Sequence, residues 1–237
     1  MTTTHTEKSA KRAQQAYREY KAAQAILPPD ESTWHFRGYL HHRDEQNITQ
    51  ALTSRLADSL PQEKLHQLEE ELKTIPIEKQ DIVRRTQIEK WLDVGIGCCA
   101  LKHPALAEIV ENGFLRNDTI RYHLLAWCIM PNHVHVLIRP RVALSTIIGS
   151  WKSYSGRWAI EHNAELSLGI SGKSRWQREV WDRYMRDERH LYATIAYIHA
   201  NPIKARLCEK AEDWRWSSAW KGRESSVSMR LENALRK

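Results

Sequence analysis

Several things are scarce in this 237-residue chain, and each scarcity excludes a class of protein. Only four cysteines occur (Cys98, Cys99, Cys128 and Cys208), with no C-x-x-C pair and no regular framework. A reduced, cytoplasmic setting is therefore expected. No stretch of some 18 apolar residues occurs, so nothing is expected to span a membrane. The opening MTTTHTEKSAKRAQQAYREYK has no apolar core and does not read as a secretory signal. No internal repeat is found. Acidic residues are the minority charge, 29 against 36 Lys and Arg.

What is present points to a soluble globular chain, 41% hydrophobic and 27% charged, rather than a disordered or fibrous one. The length suits one sizeable domain with extensions, or two small ones. A net charge of +7 and ten tryptophans suit nucleic acid better than an acidic small molecule.

The charge is uneven along the chain. Residues 1–33 read as a basic arm, helical until Pro28-Pro29. Acids exceed bases over 58–93, densest at Glu69-Glu70-Glu71. That section is expected to be a helical insertion, facing away from any polyanion and ending near Gly95 and Gly97. Pro104 opens a helix through Leu106, Ile109, Val110 and Phe114 that stops around Asn117. Residues 119–130 and 133–138 are β-branched and aromatic and flank Pro131-Asn132, which predicts a hairpin. Residues 48–57 read as an earlier strand, and 143–161 and 187–200 as helices. Asp187 is the N-cap of the second helix and Pro202 its terminator. Residues 221–237 read as a polar tail. This order is α+β, a mainly antiparallel sheet covered by helices.

His133 and His135 are the sharpest feature. Two apart on a strand, they share one face while Val134 and Val136 point to the core. Two imidazoles side by side are half of a metal site. They are equally a hydrogen-bonded pair packed under a helix. Tyr197 and Asn201, four apart, share a helix face. A phenol beside a divalent ion can attack phosphorus and form a phosphotyrosine, and an amide oxygen can be a third ligand. Read blandly, Tyr197 is a half-buried helix residue and Asn201 a helix-ending amide before proline. Tyr154 is a competing nucleophile, with Trp158 rather than a carboxamide four residues on.

Basic residues follow the histidines: Arg139, Arg141, Lys152 and Arg157, then Lys173, Arg175, Arg178, Arg183, Arg186 and Arg189 interleaved with Trp176, Trp181 and Tyr184. Basic groups can hold phosphates while rings stack on unpaired bases. The DNA-binding candidates are Arg139, Lys152, Arg157, Arg175, Trp176, Arg178 and Arg183, with Lys221 and Arg223 as an extension. In the alternative, the tryptophans are core anchors, which is the preferred reading for Trp181, and the arginines pair with Glu179, Asp182, Asp187 and Glu188. Trp214, Trp216 and Trp220 are expected to fasten the C-terminal segment onto the sheet.

Three stretches, WCIMPNHVHVLI (127–138), WQREVWDRYMRDERH (176–190) and YIHANPIKARLCEKAEDWRWSSA (197–219), together resemble the REP-associated tyrosine transposases, a branch of the single-tyrosine HUH transposases. The resemblance covers roughly 34–220, including DSLPQEK (58–64) and WLDVGIGCCALKHPALAEIVEN (91–112). It implies an RRM-like (ferredoxin-like) sheet with helices on one face and the histidine strand central. It also implies His133 and His135 as metal ligands, Tyr197 as nucleophile, and Asn201 where related transposases carry a glutamine ligand. Mg²⁺ or Mn²⁺, a single-stranded DNA substrate with a REP-type palindromic hairpin, a 5′-phosphotyrosine and a leaving 3′-hydroxyl complete the implied chemistry. A monomer or homodimer associated with the nucleoid is expected. Two other functions compete: a hairpin-DNA binder that no longer cuts, and a metal-dependent hydrolase using water.

Overall fold

The computed structural model describes residues 34–36, 41–43, 48–172 and 175–223. The expected arm (1–33) and all of the expected tail beyond Arg223 lie outside the described residues. Two short strands, β1 (Trp34–Phe36) and β2 (His41–Arg43), pair antiparallel. The main sheet has four strands, β3 (Gln50–Arg55), β4 (Tyr122–Ile129), β5 (His133–Pro140) and β6 (Trp181–Tyr184). Their order is β4-β5-β3-β6, and every neighbouring pair is antiparallel. The described helices are α1 (Gln62–Leu72), α2 (Ile77–Asp93), α3 (Pro104–Arg116), α4 (Leu144–Glu161) and α5 (Glu188–Lys204). With α1 and α2 set aside, β3-α3-β4-β5-α4-β6 is the split βαβ pattern of the ferredoxin-like sheet. The fold is α+β, as expected, and β6 is a strand that the sequence reading lacked.

Both faces of the sheet are covered, which corrects the expectation of helices on one face. Leu52, Leu124, Trp127, Ile129, Val134, Val136 and Ile138 pack under Leu106, Val110 and Phe114 of α3 and Leu144, Ile147 and Trp151 of α4. On the reverse face, Leu125, Ala126, Cys128 and Leu137 pack against Leu191, Ile195, Tyr197 and Ile198 of α5. A register shift between Leu124 and Ala126 turns Leu125 and Ala126 to the same side, as a bulge does.

The 58–93 section is a helical hairpin, α1 and α2, with its own small core of Leu60, Leu68, Leu72, Ile88 and Leu92. Its two ends are clamped together. The Cys98 N–H donates to Asp58 Oδ2 at 2.7 Å. Gly97 sits at φ +93°, where a Cβ would lie 2.7 Å from the Asp58 carbonyl oxygen, so only glycine fits there.

Helix α5 begins as expected, with Asp187 Oδ1 accepting from the His190 N–H at 2.7 Å. Pro202 does not end it. The helix runs on to Lys204 with Pro202 inside the last turn. A proline there removes a single helical N–H, and hydrogen bonding resumes with the Ala205 N–H to Asn201 O at 2.9 Å and the Leu207 N–H to Pro202 O at 2.8 Å. His190 itself is 1% exposed. Burial, with the nearby Arg183 and Arg186 charges, pushes its pKa down to about 4, against a weaker opposite pull from Asp187.

The C-terminal segment is fastened as expected. Trp214 Nε1 donates to Ile129 O at 3.0 Å, and the Ile129 N–H donates to Trp216 O at 2.8 Å. The Arg215 guanidinium lies between the Trp216 and Trp220 rings, 4.6 and 4.5 Å from their centroids. Lys221 and Arg223 do not extend a basic surface. Lys221 pairs with Asp213 at 2.6 Å. Arg223 lies over Trp127 and pairs with Glu111, a carboxylate on α3 that also accepts from Arg215 at 3.1 Å and from Trp127 Nε1 at 3.3 Å. Glu111 is only 4% exposed.

Two stability predictions follow from these contacts. Glu111→Leu leaves Arg223 inside without its counter-charge, and breaking such a buried pair costs about 3–5 kcal/mol. Urea unfolding should show that loss, and a near-native midpoint would refute the role given to the cluster. For His190, the unfolded ring takes up a proton near pH 6.5 while the folded one resists until about pH 4. The unfolded state thus binds more protons in that window, and stability falls as pH drops through it. His190→Gln should remove about 2 kcal/mol of the loss between pH 7 and 5, read as a shallower pH profile of unfolding free energy.

Candidate active site

The antiparallel register sets the histidines opposite β3, with Thr53 facing His135 and Arg55 facing His133. Both rings lie on the face covered by α5 and are 1% and 4% exposed. His133 Nδ1 is 2.7 Å from Asn132 Oδ1, and an amide oxygen only accepts. That nitrogen therefore carries the proton, leaving Nε2 with a lone pair. His135 Nδ1 is held by Thr53 Oγ1 at 2.9 Å. With both Nδ1 atoms engaged, the two Nε2 atoms meet at 3.1 Å. Burial first, then the His135 and Lys204 charges, lowers the His133 pKa well below the ordinary value. Burial and Lys204 push His135 down to about 3. Both rings are neutral at physiological pH, the form that binds metals.

Tyr197 comes from α5 to the same place. Its ring is edge-on to His135, centroids 5.5 Å apart at 77°, and the residue is 4% exposed. One turn on, Asn201 is 1% exposed and turns its Nδ2 back to donate to Tyr197 O at 2.8 Å. Its Oδ1 is buried and has no hydrogen-bond partner. A cavity of about 30 Å³ opens beside the tyrosine and His135, bordered also by Thr53, Arg85, Trp181 and Arg183.

This donor set suits a hard or borderline divalent ion. Two imidazole nitrogens bound to one first-row ion, each at about 2.1 Å, lie near the spacing seen here. Among the described residues no group of three or more His, Cys, Asp or Glu could hold an ion. A third protein ligand would have to be of another kind, and the orphaned amide oxygen of Asn201 is a candidate for it.

The structure divides the expected DNA-binding residues. Arg183 stands on β6 opposite Ala51 and borders the cavity. Arg139 lies on β5 opposite His123, on the histidine face by alternation. Lys152 and Arg157 are on α4, across the sheet. Lys152 Nζ donates to Gln177 O at 2.6 Å and Arg178 O at 3.1 Å, and burial and Arg55 push its pKa down to about 8. Arg157 and Arg178 are exposed, and Arg175 donates to Gly172 O. Trp176 is a correction. At 8% exposure, with its Nε1 donating to Ser155 Oγ at 2.9 Å, it is a core residue whose ring has no face open to a base. Trp181, expected as a core anchor, is half-buried, packed against the α1–α2 core with the Arg55 guanidinium 5.9 Å from its ring.

Tyr154 is 39% exposed on α4, the helix that packs on the opposite face of the sheet, so the structure sets it apart from the histidines. The sequence reading missed Thr53, Asn132 and Arg85. Asn132 adjoins His133 in PNHVH and could have been found as its ring partner. Thr53 is 82 residues from His135, and no local pattern links them. Arg85 brings the helical insertion to the border of the cavity.

Residues 106–201 match the sequence model of the family "Transposase IS200 like". A curated relative from Haemophilus influenzae, "Putative REP-associated tyrosine transposase", is 26% identical over 108 residues, 41% of this chain. The chain spans 58% of that relative's length. A solved structure of a REP-associated tyrosine transposase bound to a REP hairpin aligns at TM-score 0.46 and 16% identity, covering 78% of this chain and 81% of that one. The resemblance drawn from the sequence holds: through 106–201, which carries His133, His135, Tyr197 and Asn201, this chain is similar to the IS200-like transposases, and over 108 residues it is similar to a REP-associated relative.

Proposed function

We propose that this chain is a divalent-metal-dependent endonuclease and strand transferase for single-stranded DNA, acting on REP-type palindromic hairpins through a covalent 5′-phosphotyrosine. One observation carries the reading: the Tyr197 ring stands 5.5 Å from His135, whose Nε2 is 3.1 Å from that of His133. The similarity to a REP-associated relative supports the choice of substrate.

His133, His135 and the Asn201 amide oxygen would hold Mg²⁺ or Mn²⁺, which when bound makes the phosphorus more electrophilic. The chain's own residues do the rest. Asn132 and Thr53 fix the two rings in one orientation. The Tyr197 oxygen attacks phosphorus, the bond from phosphorus to the 3′-oxygen breaks, and the 5′-phosphate stays on the tyrosine. The phenol gives up its proton and the departing 3′-oxygen takes one up. Attack by another 3′-hydroxyl reverses these bonds and joins strands. The exposed Arg157 and Arg178 hold backbone phosphates outside the cleft. Because one chain supplies both histidines and the tyrosine, a monomer completes the site and a homodimer holds two of them. The setting is the nucleoid in the cytoplasm, and the working domain is 34–220.

A second reading, a hairpin binder of the same fold that does not cut, draws on the 4% exposure of Tyr197. Labelled REP-type hairpin and Mn²⁺ should give a denaturation-resistant adduct that Tyr197→Phe abolishes and Tyr154→Phe retains. Adduct surviving in Tyr197→Phe overturns the nucleophile. Tight hairpin binding with no adduct under any divalent ion supports the second reading. Hairpin affinity should also fall linearly in log–log terms with salt, and a flat profile would remove the phosphate contacts.

A further inference from the structure

The inserted hairpin forms part of the wall of the histidine face. Ile88 and Leu92 of α2 belong to the small core against which Trp181 of β6 packs. At the end of the same helix, Asp93 pairs with Lys204 of α5. One turn before Ile88, Arg85 borders the cavity shared by His135, Tyr197 and Arg183. Its side chain is 18% exposed, and its Nε is buried with no hydrogen-bond partner. The ionic contact it makes, 3.6 Å to Asp81, is with a carboxylate that is 57% exposed and pairs more closely with Arg84, at 3.0 Å.

Two guanidinium groups, from α2 and from β6, therefore border one cavity next to a phenol. The acid that also borders it is Asp182, on the same strand as Arg183. A planar guanidinium offers paired N–H donors that match the oxygens of a phosphate, and it binds them most strongly where water is excluded. We propose that Arg85, brought in by the insertion, binds the phosphodiester that Tyr197 attacks, with Arg183 on its other side. This rests on the function proposed above and adds a substrate contact from outside the matched 106–201 segment.

The test is a binding cycle free of cleavage and metal. In a Tyr197→Phe background, affinity is measured for a REP-type hairpin and for a set of the same hairpin, each with one phosphate replaced by a neutral methylphosphonate. Arg85→Ala and Arg85→Gln should each weaken the unmodified hairpin about 10–100-fold, as loss of a charged hydrogen bond does. At a single position the methylphosphonate should weaken the Tyr197→Phe parent but cost the Arg85 variants nothing further. Additive losses at every position, or no loss in either variant, overturn the assignment. Asp81→Asn removes the arginine's ionic partner and should leave affinity unchanged, and a loss there equal to that of Arg85→Ala also overturns it. If the unmutated chain binds no hairpin, the proposed function fails and this assignment with it. If that chain binds and forms adduct while the cycle is additive, only Arg85 is wrong.

Discussion

The register of β5 against β3 is the constraint on which the histidine face depends. Thr53 stands opposite His135, and a slip of one residue would turn both imidazoles into the cluster of Val134, Val136, Leu124 and Trp127. The His135 ring would then lose its Thr53 partner inside an apolar core, at a cost of about 1–3 kcal/mol for the unsatisfied group. In the observed register the same groups are satisfied and the two Nε2 atoms are aimed at a common point. The pairing that closes the sheet therefore also orients the His135 ring, Asn132 orients that of His133, and burial keeps both neutral.

Helix α5 supplies the other half of the arrangement, and its last turns carry the tension between packing and reach. Tyr197 and Ile198 are part of the core against Leu125, Cys128 and Leu137. The phenol is thus held by the contacts that stabilise the helix on the sheet, each buried apolar side chain contributing about 1.5–3 kcal/mol. Asn201 is turned so that its NH₂ group supports the Tyr197 carbonyl, which leaves the amide oxygen buried and unpaired. A buried acceptor in that state is costly unless something binds it. The unmet oxygen is the feature of α5 that packing alone does not explain.

The sheet was readable from the sequence because 119–130 and 133–138 are apolar, β-branched and separated by Pro131-Asn132. Both ends of α3 and the start of α5 were readable from Pro104, Asn117 and Asp187. That both faces are covered was not, because β4 and β5 are buried on both sides and show no alternation to betray which side is open. β6 escaped because it is four residues long in a stretch dominated by charge. Pro202 misled because a proline in a last turn costs the helix little. At the site, His133, His135, Tyr197 and Asn201 were found by spacing and by family resemblance. Thr53 and Arg85 were not, since each reaches the site through pairing or packing between distant segments.

The same limit explains the misjudged charges. A basic run in sequence was read as one surface, yet the chain crosses the sheet between α4 and β6. Lys152 is tied to loop carbonyls and Trp176 is sunk in the core, while Arg183, seven residues after Trp176, is at the cleft. β6 is one of the two edge strands of the sheet, and the exposed Arg178 lies three residues before it. On the function proposed, a strand touching Arg178 and reaching Tyr197 has to come round that edge. The hairpin of α1 and α2 stands there, its core closed by Trp181 and its helix tied to α5 through Asp93 and Lys204. On the same proposal, Arg85 of the hairpin and Arg183 of β6 are the charges such a strand meets at the cavity.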